Sequence, residues 1–179
     1  MRKNFFLKTE RIGLRMITAE DIDWYAEWFN DAEVCNYNSH HRFPKSRQSM
    51  ETYVQSVTNS NSVIVFALID LKSGTHFGNI SLQEINYIDR SAELAFLIGE
   101  KEYWKKGYAS EASEVIIKHA FEELNLHRLY LATSDENVPM QKLAKKLGFS
   151  EEGCRREALF KHGVYHDIIE FGLISSEVD

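Results

Sequence analysis

Three apolar runs, Val63 to Ile69, Phe77 to Ile85 and Ala92 to Ile98, follow one another with only two short turn signals between them, Lys72-Ser73-Gly74 and Asp89-Arg90. Runs of this length read as strands, and strands joined by turns rather than by a crossover helix pair antiparallel. The middle of the chain is therefore expected to be an antiparallel meander. After Gly107 the period turns helical: Ala112, Val115, Ile116, His119 and Ala120 fall on one stripe, with Glu114 and Lys118 expected to pair on the other. Arg128 to Thr133 returns to strand. A short helix follows, capped by Asn137 and tolerating Pro139 in its first turn, with Met140, Leu143, Ala144 and Leu147 as an apolar stripe that ends at Gly148. A closing hairpin turns at His162-Gly163. Before the meander, the Thr18 hydroxyl is expected to cap a helix carrying Glu20 and Asp21 in its first turn and Trp24, Tyr25 and Trp28 at helical spacing. A second helix begins near Ser46, and Asn30 to Pro44 between them reads as an exposed, irregular loop. The order implies an α/β domain of the α+β kind: one mixed, mostly antiparallel central sheet flanked by helices, without the regular alternation of a doubly wound fold.

Composition narrows the function classes. The chain has 179 residues, 44% of them apolar, and a net charge of −6. That size suits a single domain over 1–179 with one sizeable core, and no linker or repeat divides it. The acidic balance argues against a nucleic-acid partner. The run that stops at Asp70 is far shorter than the ~20 residues of a membrane-spanning helix, so no membrane association is expected. Phe5-Phe6-Leu7 is too short for a secretory signal and is followed at once by charge, which points to the cytoplasm. Cys35 and Cys154 lack metal or disulfide spacing and read as isolated, reduced thiols.

The stretch Tyr103-Trp104-Lys105-Lys106-Gly107-Tyr108-Ala109-Ser110-Glu111-Ala112 joins a strand that ends at Gly99 to a helix that begins near Tyr108. Free N–H groups and the positive end of a helix dipole, approached over a glycine, can hold a phosphate, and Lys105 and Lys106 add positive charge. Neither a Walker A loop nor GxGxxG is present. Taken alone, the segment is equally well a turn with solvated lysines.

The chain resembles the GNAT superfamily of acetyl-CoA-dependent N-acetyltransferases, in particular the branch of ribosomal-protein N-terminal acetyltransferases. The resemblance runs through Thr9-Glu10-Arg11-Ile12-Gly13-Leu14-Arg15, Asp21, Ala92-Glu93-Leu94 and the turn from Trp104 to Ala112. It continues through Asn137, Lys146-Leu147-Gly148-Phe149, Glu152-Gly153-Cys154-Arg155-Arg156 and Tyr165-His166-Asp167. It implies acetyl-CoA as co-substrate, with Lys105, Lys106, Gly107, Tyr108, Ala109 and Ser110 around its pyrophosphate. Phe96, Leu97 and Ile98 would lie along the pantetheine arm and Asn137 would touch it from the other side. No metal is implied, and a homodimer is left open. Where the family often has Gly, Asn or Arg, this chain has Lys105. Where it commonly has a Ser or Tyr that protonates the departing thiolate, this chain has Met140 and Ala144, neither of which can donate a proton. A thiol pKa near 8.5 lets solvent supply that proton.

Acetylating an amine requires removing a proton from a group whose pKa is about 10.4, if it resembles lysine. Glu93 is the expected base. On its strand Leu94, Phe96 and Ile98 share one face, and Glu93 shares the other with apolar Ala95 and Leu97, a setting that raises a carboxylate pKa. Glu111, in a first helical turn, is explained by the helix dipole without a catalytic role. His119 reads as a packed core histidine and His127 as a turn residue. His162 and His166 lie too far apart along a strand to share a metal. Cys154 has no evident base beside it. His40, His41 and Arg42 are expected to overhang an acceptor pocket, and Asp167 either orders the final hairpin or shapes that pocket. The expected acceptor is a primary amine, either of a small molecule such as an amino sugar or nucleotide-linked amino sugar, or of a protein N-terminus; polyamines and aminoglycosides also fit. The loop's cationic groups tilt the choice toward a phosphorylated acceptor. Two rivals stand beside this reading: a catalytically inactive coenzyme-A-binding sensor or interaction module, and an ATP-binding domain.

Overall fold

A computed structural model describes residues 4–178. Its elements run β1 (Leu7–Lys8), β2 (Ile12–Met16), α1 (Ile22–Asn30), α2 (Arg47–Thr58), β3 (Ile64–Asp70), β4 (His76–Asn86), β5 (Ser91–Ile98), α3 (Tyr108–Glu122), β6 (Arg128–Ser134), α4 (Val138–Lys146), β7 (Ser150–Lys161) and β8 (Val164–Ile174). The strands form one open sheet in the order β1-β2-β3-β4-β5-β6-β8-β7. Every neighbouring pair is antiparallel except β5 and β6, which run parallel. The meander is β3 to β5, as expected. The pair β1 and β2 was not anticipated, because two short strands interrupted by Glu10 and Arg11 carry too little alternation to read.

Helices cover both faces. On one, Leu14, Leu68, Ile80, Leu94, Leu129 and Phe171 meet Ala112, Ile116 and Ala120 of α3 and Ala144 of α4. On the other, Val65, Ala67 and Ile69 meet Ile22, Tyr25 and Phe29 of α1 and Met50 and Val54 of α2. Strand β3 feeds alternate side chains to both cores, which is why its apolar run is unbroken. No helix among the described residues is long and apolar enough to cross a membrane.

Three local expectations need correction. Glu114 does not pair with Lys118: the Ser110 hydroxyl, one turn earlier, donates to Glu114 at 2.9 Å, and Lys118 lies 3.9 Å from Glu122. Thr18 caps a short 3-10 turn, Ala19–Asp21, rather than α1 itself, which begins at Ile22, and the Asp21 carboxylate completes the capping box by reaching back to the Thr18 N–H at 2.8 Å. The 31–45 loop is irregular but not simply exposed, since Cys35 within it is fully buried.

Asp21 is the electrostatic anchor of α1. Its carboxylate, 2% exposed, takes a two-pronged contact from Arg15 at 2.7 and 2.6 Å and lies 3.1 Å from His76 Nδ1. Burial alone would raise its pKa, but Arg15, His76 and the Thr18 N–H together hold it well below the usual carboxylate range. A depressed carboxylate stabilises the fold fully above its unfolded pKa of about 4, and this contribution fades as the pH falls toward the folded value. The Asp21→Asn variant is expected to lose about 3 kcal/mol at pH 7, since it leaves Arg15 without its buried partner. Urea denaturation should show the gap to wild type narrowing at pH 3.

Candidate active site

Strands β5 and β6 pair through only three positions, Ser91 with Arg128, Ala92 with Leu129 and Glu93 with Tyr130. Both then continue, β5 to Ile98 and β6 to Ser134, without further pairing, so the sheet opens into a V whose apex lies at Glu93 and Tyr130. The backbone of β5 alternates between its two neighbours. The Gly99 N–H donates to Phe77 on the β4 side at 2.9 Å, whereas the Arg90 carbonyl accepts from Arg128 on the β6 side at 3.1 Å. By that alternation the backbone groups of Phe96 and Ile98 face the open V. The Ile98 carbonyl is taken by the Trp104 indole at 2.8 Å, leaving the peptide groups of Phe96 for a ligand that adds as a strand. Leu97 points to the opposite face and packs against the core beneath α1 and α2.

At the open end of the V the chain passes through Lys105 at φ +57° and Gly107 at φ +83° into α3. Left-handed backbone at the glycine aims the N–H groups of Tyr108, Ala109 and Ser110 outward from the first helical turn, where no intrahelical partner exists for them. Lys105, Lys106 and Gly107 are exposed. The turn is held from behind by Arg11, whose guanidinium donates to the Lys106 carbonyl at 3.2 Å, stacks 4.3 Å from the Tyr108 ring centroid and bonds Glu111 at 2.6 Å. Glu111 also accepts from the Thr9 hydroxyl and from the Arg11 N–H. Burial would raise its pKa, but these donors hold it below the ordinary glutamate value. Glu111 is therefore a strut. The bracing role of Arg11 had no signal in the sequence because its partner lies 100 residues away. From α4, Lys146 reaches the Ser110 hydroxyl at 2.9 Å and adds a cation beside the same N-terminus. Such a pocket of N–H groups and ammonium ions has the chemistry to receive a diphosphate.

Glu93 stands at the apex on the face away from α3 and α4. Its spatial neighbours are more polar than its strand neighbours suggested. A cavity of about 360 Å³ is lined by Glu84, Glu93, Arg128, Tyr130, Glu152, Arg155 and Glu170 among others. Arg128 is paired with Glu152, and Arg155 with Glu170 at 2.8 Å, so the cavity's unneutralised carboxylates are Glu84 and Glu93. Glu84, itself at φ +50° in a bulge of β4, accepts from the Tyr130 hydroxyl at 2.9 Å. Burial and that bond push the Tyr130 pKa up to about 12. Burial, reinforced by the charge of Glu84 and opposed by Arg155, raises the pKa of Glu93. Glu84 had no signal in the sequence, since only the bulge turns it toward Glu93.

The remaining candidates are placed elsewhere. Asn137 caps α4: its side-chain oxygen accepts from the Met140 N–H at 3.3 Å and its amide donates to Thr133 at 3.0 Å. Asp167 accepts the Glu157 N–H at 2.8 Å and so braces a bulge in β7, the ordering role of the two considered. His40 packs against Phe29 with centroids 4.5 Å apart and the rings tilted by 49°, His41 is exposed, and Arg42 donates to the Phe160 carbonyl at 2.9 Å. His40 and Arg42 are therefore engaged within the loop and with the final hairpin. His162 lies 3.0 Å from Asn36, while His166 is buried near Asp135 and Glu136. Cys35 and Cys154 are free, and no cluster of metal-ligating side chains occurs among the described residues.

The model of the acetyltransferase (GNAT) domain matches residues 11–150. The chain belongs to the GNAT family. It is 30% identical over 173 residues to an uncharacterized N-acetyltransferase, p20, of Bacillus licheniformis, covering 96% of this chain and 97% of the relative. It is 28% identical over 178 residues to a putative ribosomal N-acetyltransferase of Bacillus subtilis, covering 94% and 93%. Among solved structures it superposes on the spermidine N-acetyltransferase of Vibrio cholerae in complex with CoA and spermine, with TM-score 0.87, 28% identity and coverage of 94% of this chain and 98% of that one. This GNAT protein is an acetyl-CoA-dependent acetyltransferase with acetyl-CoA as its co-substrate.

A Cβ on Gly107 would meet only Arg11, at 3.5 Å, so the Gly107→Ala variant suffers from backbone strain rather than a clash. It is expected to cost about 1–2 kcal/mol of stability and to weaken coenzyme A binding. Thermal denaturation and isothermal titration check both effects.

Proposed function

We propose that this protein acetylates a primary amine of a small, slender polycation, with Glu93 as general base. The supporting observation is the acidic cavity at the apex of the V, where Glu84 and Glu93 remain without a cationic partner. A cationic acceptor replaces the missing counter-charge, whereas a phosphorylated one meets two like charges. The spermine held by the Vibrio cholerae relative agrees with this choice.

In this reading the first turn of α3, with Lys105, Lys106 and Lys146, holds the diphosphate of acetyl-CoA, and the Phe96 backbone pairs with its pantetheine arm. The V then presents the thioester carbonyl near Glu93. Glu93, directly or through one water, takes a proton from the bound ammonium. The neutral amine nitrogen then forms its bond to the carbonyl carbon and passes its surplus proton to water as the carbon–sulfur bond breaks, and the coenzyme A thiolate leaves. Glu84 and Tyr130 hold a cationic nitrogen of the acceptor beside the base. Met140 and Ala144 offer no proton, so solvent reprotonates the thiolate.

Coenzyme A or acetyl-CoA at 100 times its Kd should stabilise the protein by ~2.7 kcal/mol, and ATP should not. Glu93→Gln should lower kcat for spermidine by roughly 10² to 10⁴ while leaving coenzyme A binding intact. Because the base must be ionised and its pKa is raised, kcat/KM should fall on the acid side at a higher pH than an ordinary glutamate would dictate. Coenzyme A binding with no thiol released from any amine would instead favour a catalytically inactive sensor, a reading that the missing acid at Met140 and Ala144 keeps in view.

A further inference from the structure

The 31–45 loop is fastened on both sides of the V. On the β5 side, Trp28 of α1 lies against Gly99, where a Cβ would fall 2.1 Å from its ring, and its indole donates to Glu100 at 3.0 Å. Lys101, just past that strand, reaches Asp31 at 2.9 Å and Glu33 at 2.6 Å. On the other side, Ile168 of β8 pairs with Ser134, the last residue of β6, so the tip of the β7–β8 hairpin stands beyond the end of β6. That tip holds the far part of the loop. The Lys161 ammonium donates to the carbonyls of Cys35 at 2.7 Å, Asn38 at 2.9 Å and His40 at 3.2 Å. Arg42 and His162 add the contacts to Phe160 and Asn36 already described. Asn30 closes the stem with two 2.8 Å bonds to the Lys45 backbone.

Lys161 is 9% exposed, and its three donors are matched by three carbonyls with no carboxylate among them. The chemistry described above does not use it. An apolar side chain of equal length would leave three carbonyls without their donor and release the loop from the hairpin.

We infer that Lys161 is a positioning residue that sets acceptor specificity: by fixing the 31–45 loop as a strap across the mouth of the V, it admits a slender, unbranched amine and turns away a wide one. The inference rests on the reading of the V as the transfer site. An acceptor reaching Glu93 from the face opposite α3 and α4 passes beneath the strap, while the Lys161 ammonium bonds only Cys35, Asn38 and His40 and none of the residues of the donor turn at α3.

The test compares wild type with Lys161→Met, which keeps the stem and removes the ammonium. Spermidine serves as the slender amine and kanamycin as the wide one, and amide hydrogen exchange follows residues 35–40. The variant is expected to exchange faster in the strap and to lower the spermidine-to-kanamycin ratio of kcat/KM by about tenfold, with the acetyl-CoA KM unchanged. A general structural defect would move the donor KM and both acceptors together, and that result overturns the inference. So does faster exchange with an unchanged ratio, or exchange that does not change. If Lys161→Met fails to fold, the double variant Asn36→Ala with Arg42→Gln, at the strap's outer contacts, must shift the ratio in the same direction or the inference falls. A wild type that coenzyme A does not stabilise removes the transfer reading itself, a result separable from any of these.

Discussion

A parallel strand pair that separates after three residues creates an uncommon situation in a sheet: peptide groups near the middle of a domain have no strand to bond. The rest of this protein is arranged around that opening. Helices α3 and α4 cover one face of the V and α1 with α2 the other, so the free backbone of β5 lies between two cores rather than at a solvated edge. An extended ligand carrying its own amides can complete the sheet there, and pantetheine is such a ligand. The opening persists because each side belongs to a different antiparallel unit, β1 to β5 and β6–β8–β7, each with its own ladder.

Charge is divided between the two ends of the V. The donor end is cationic, with a helix N-terminus and three lysines and with Glu111 neutralised by Arg11. The apex is anionic, with Glu84 and Glu93 left over once Arg128 and Arg155 have found their partners. In the proposed reading, a diphosphate and an ammonium are drawn to different places in one channel, which orients the two substrates before any contact at the reacting atoms.

How much of this was legible depended on the range of the interactions. The meander, the amphipathic helices, the start of α2 near Ser46 and the cap at Asn137 follow local rules and stand where the pattern put them. The alternation that set Glu93 apart from Leu94 and Phe96 held as well. The Arg11–Glu111 strut and the Lys161 clasp did not show, because each joins residues at least a hundred positions apart through contacts that leave no periodic trace. His40 and Arg42 invited an anion-binding reading as a cationic string in a loop, and only tertiary packing turned them to Phe29 and the hairpin.

Local spacing and residue type, then, determined the elements, their order, the glycine turn before α3 and the carboxylate at the apex. Tertiary structure decided which charges remain free. Arg128, Arg155 and Arg11 each had several acids to choose from, and a chain's linear order does not state which pairs will form when strands from its two halves meet. That pairing left Glu84 beside Glu93, and so set an acidic cavity against a strand that looked apolar, while tertiary packing bound a loop that looked suited to anions to the final hairpin.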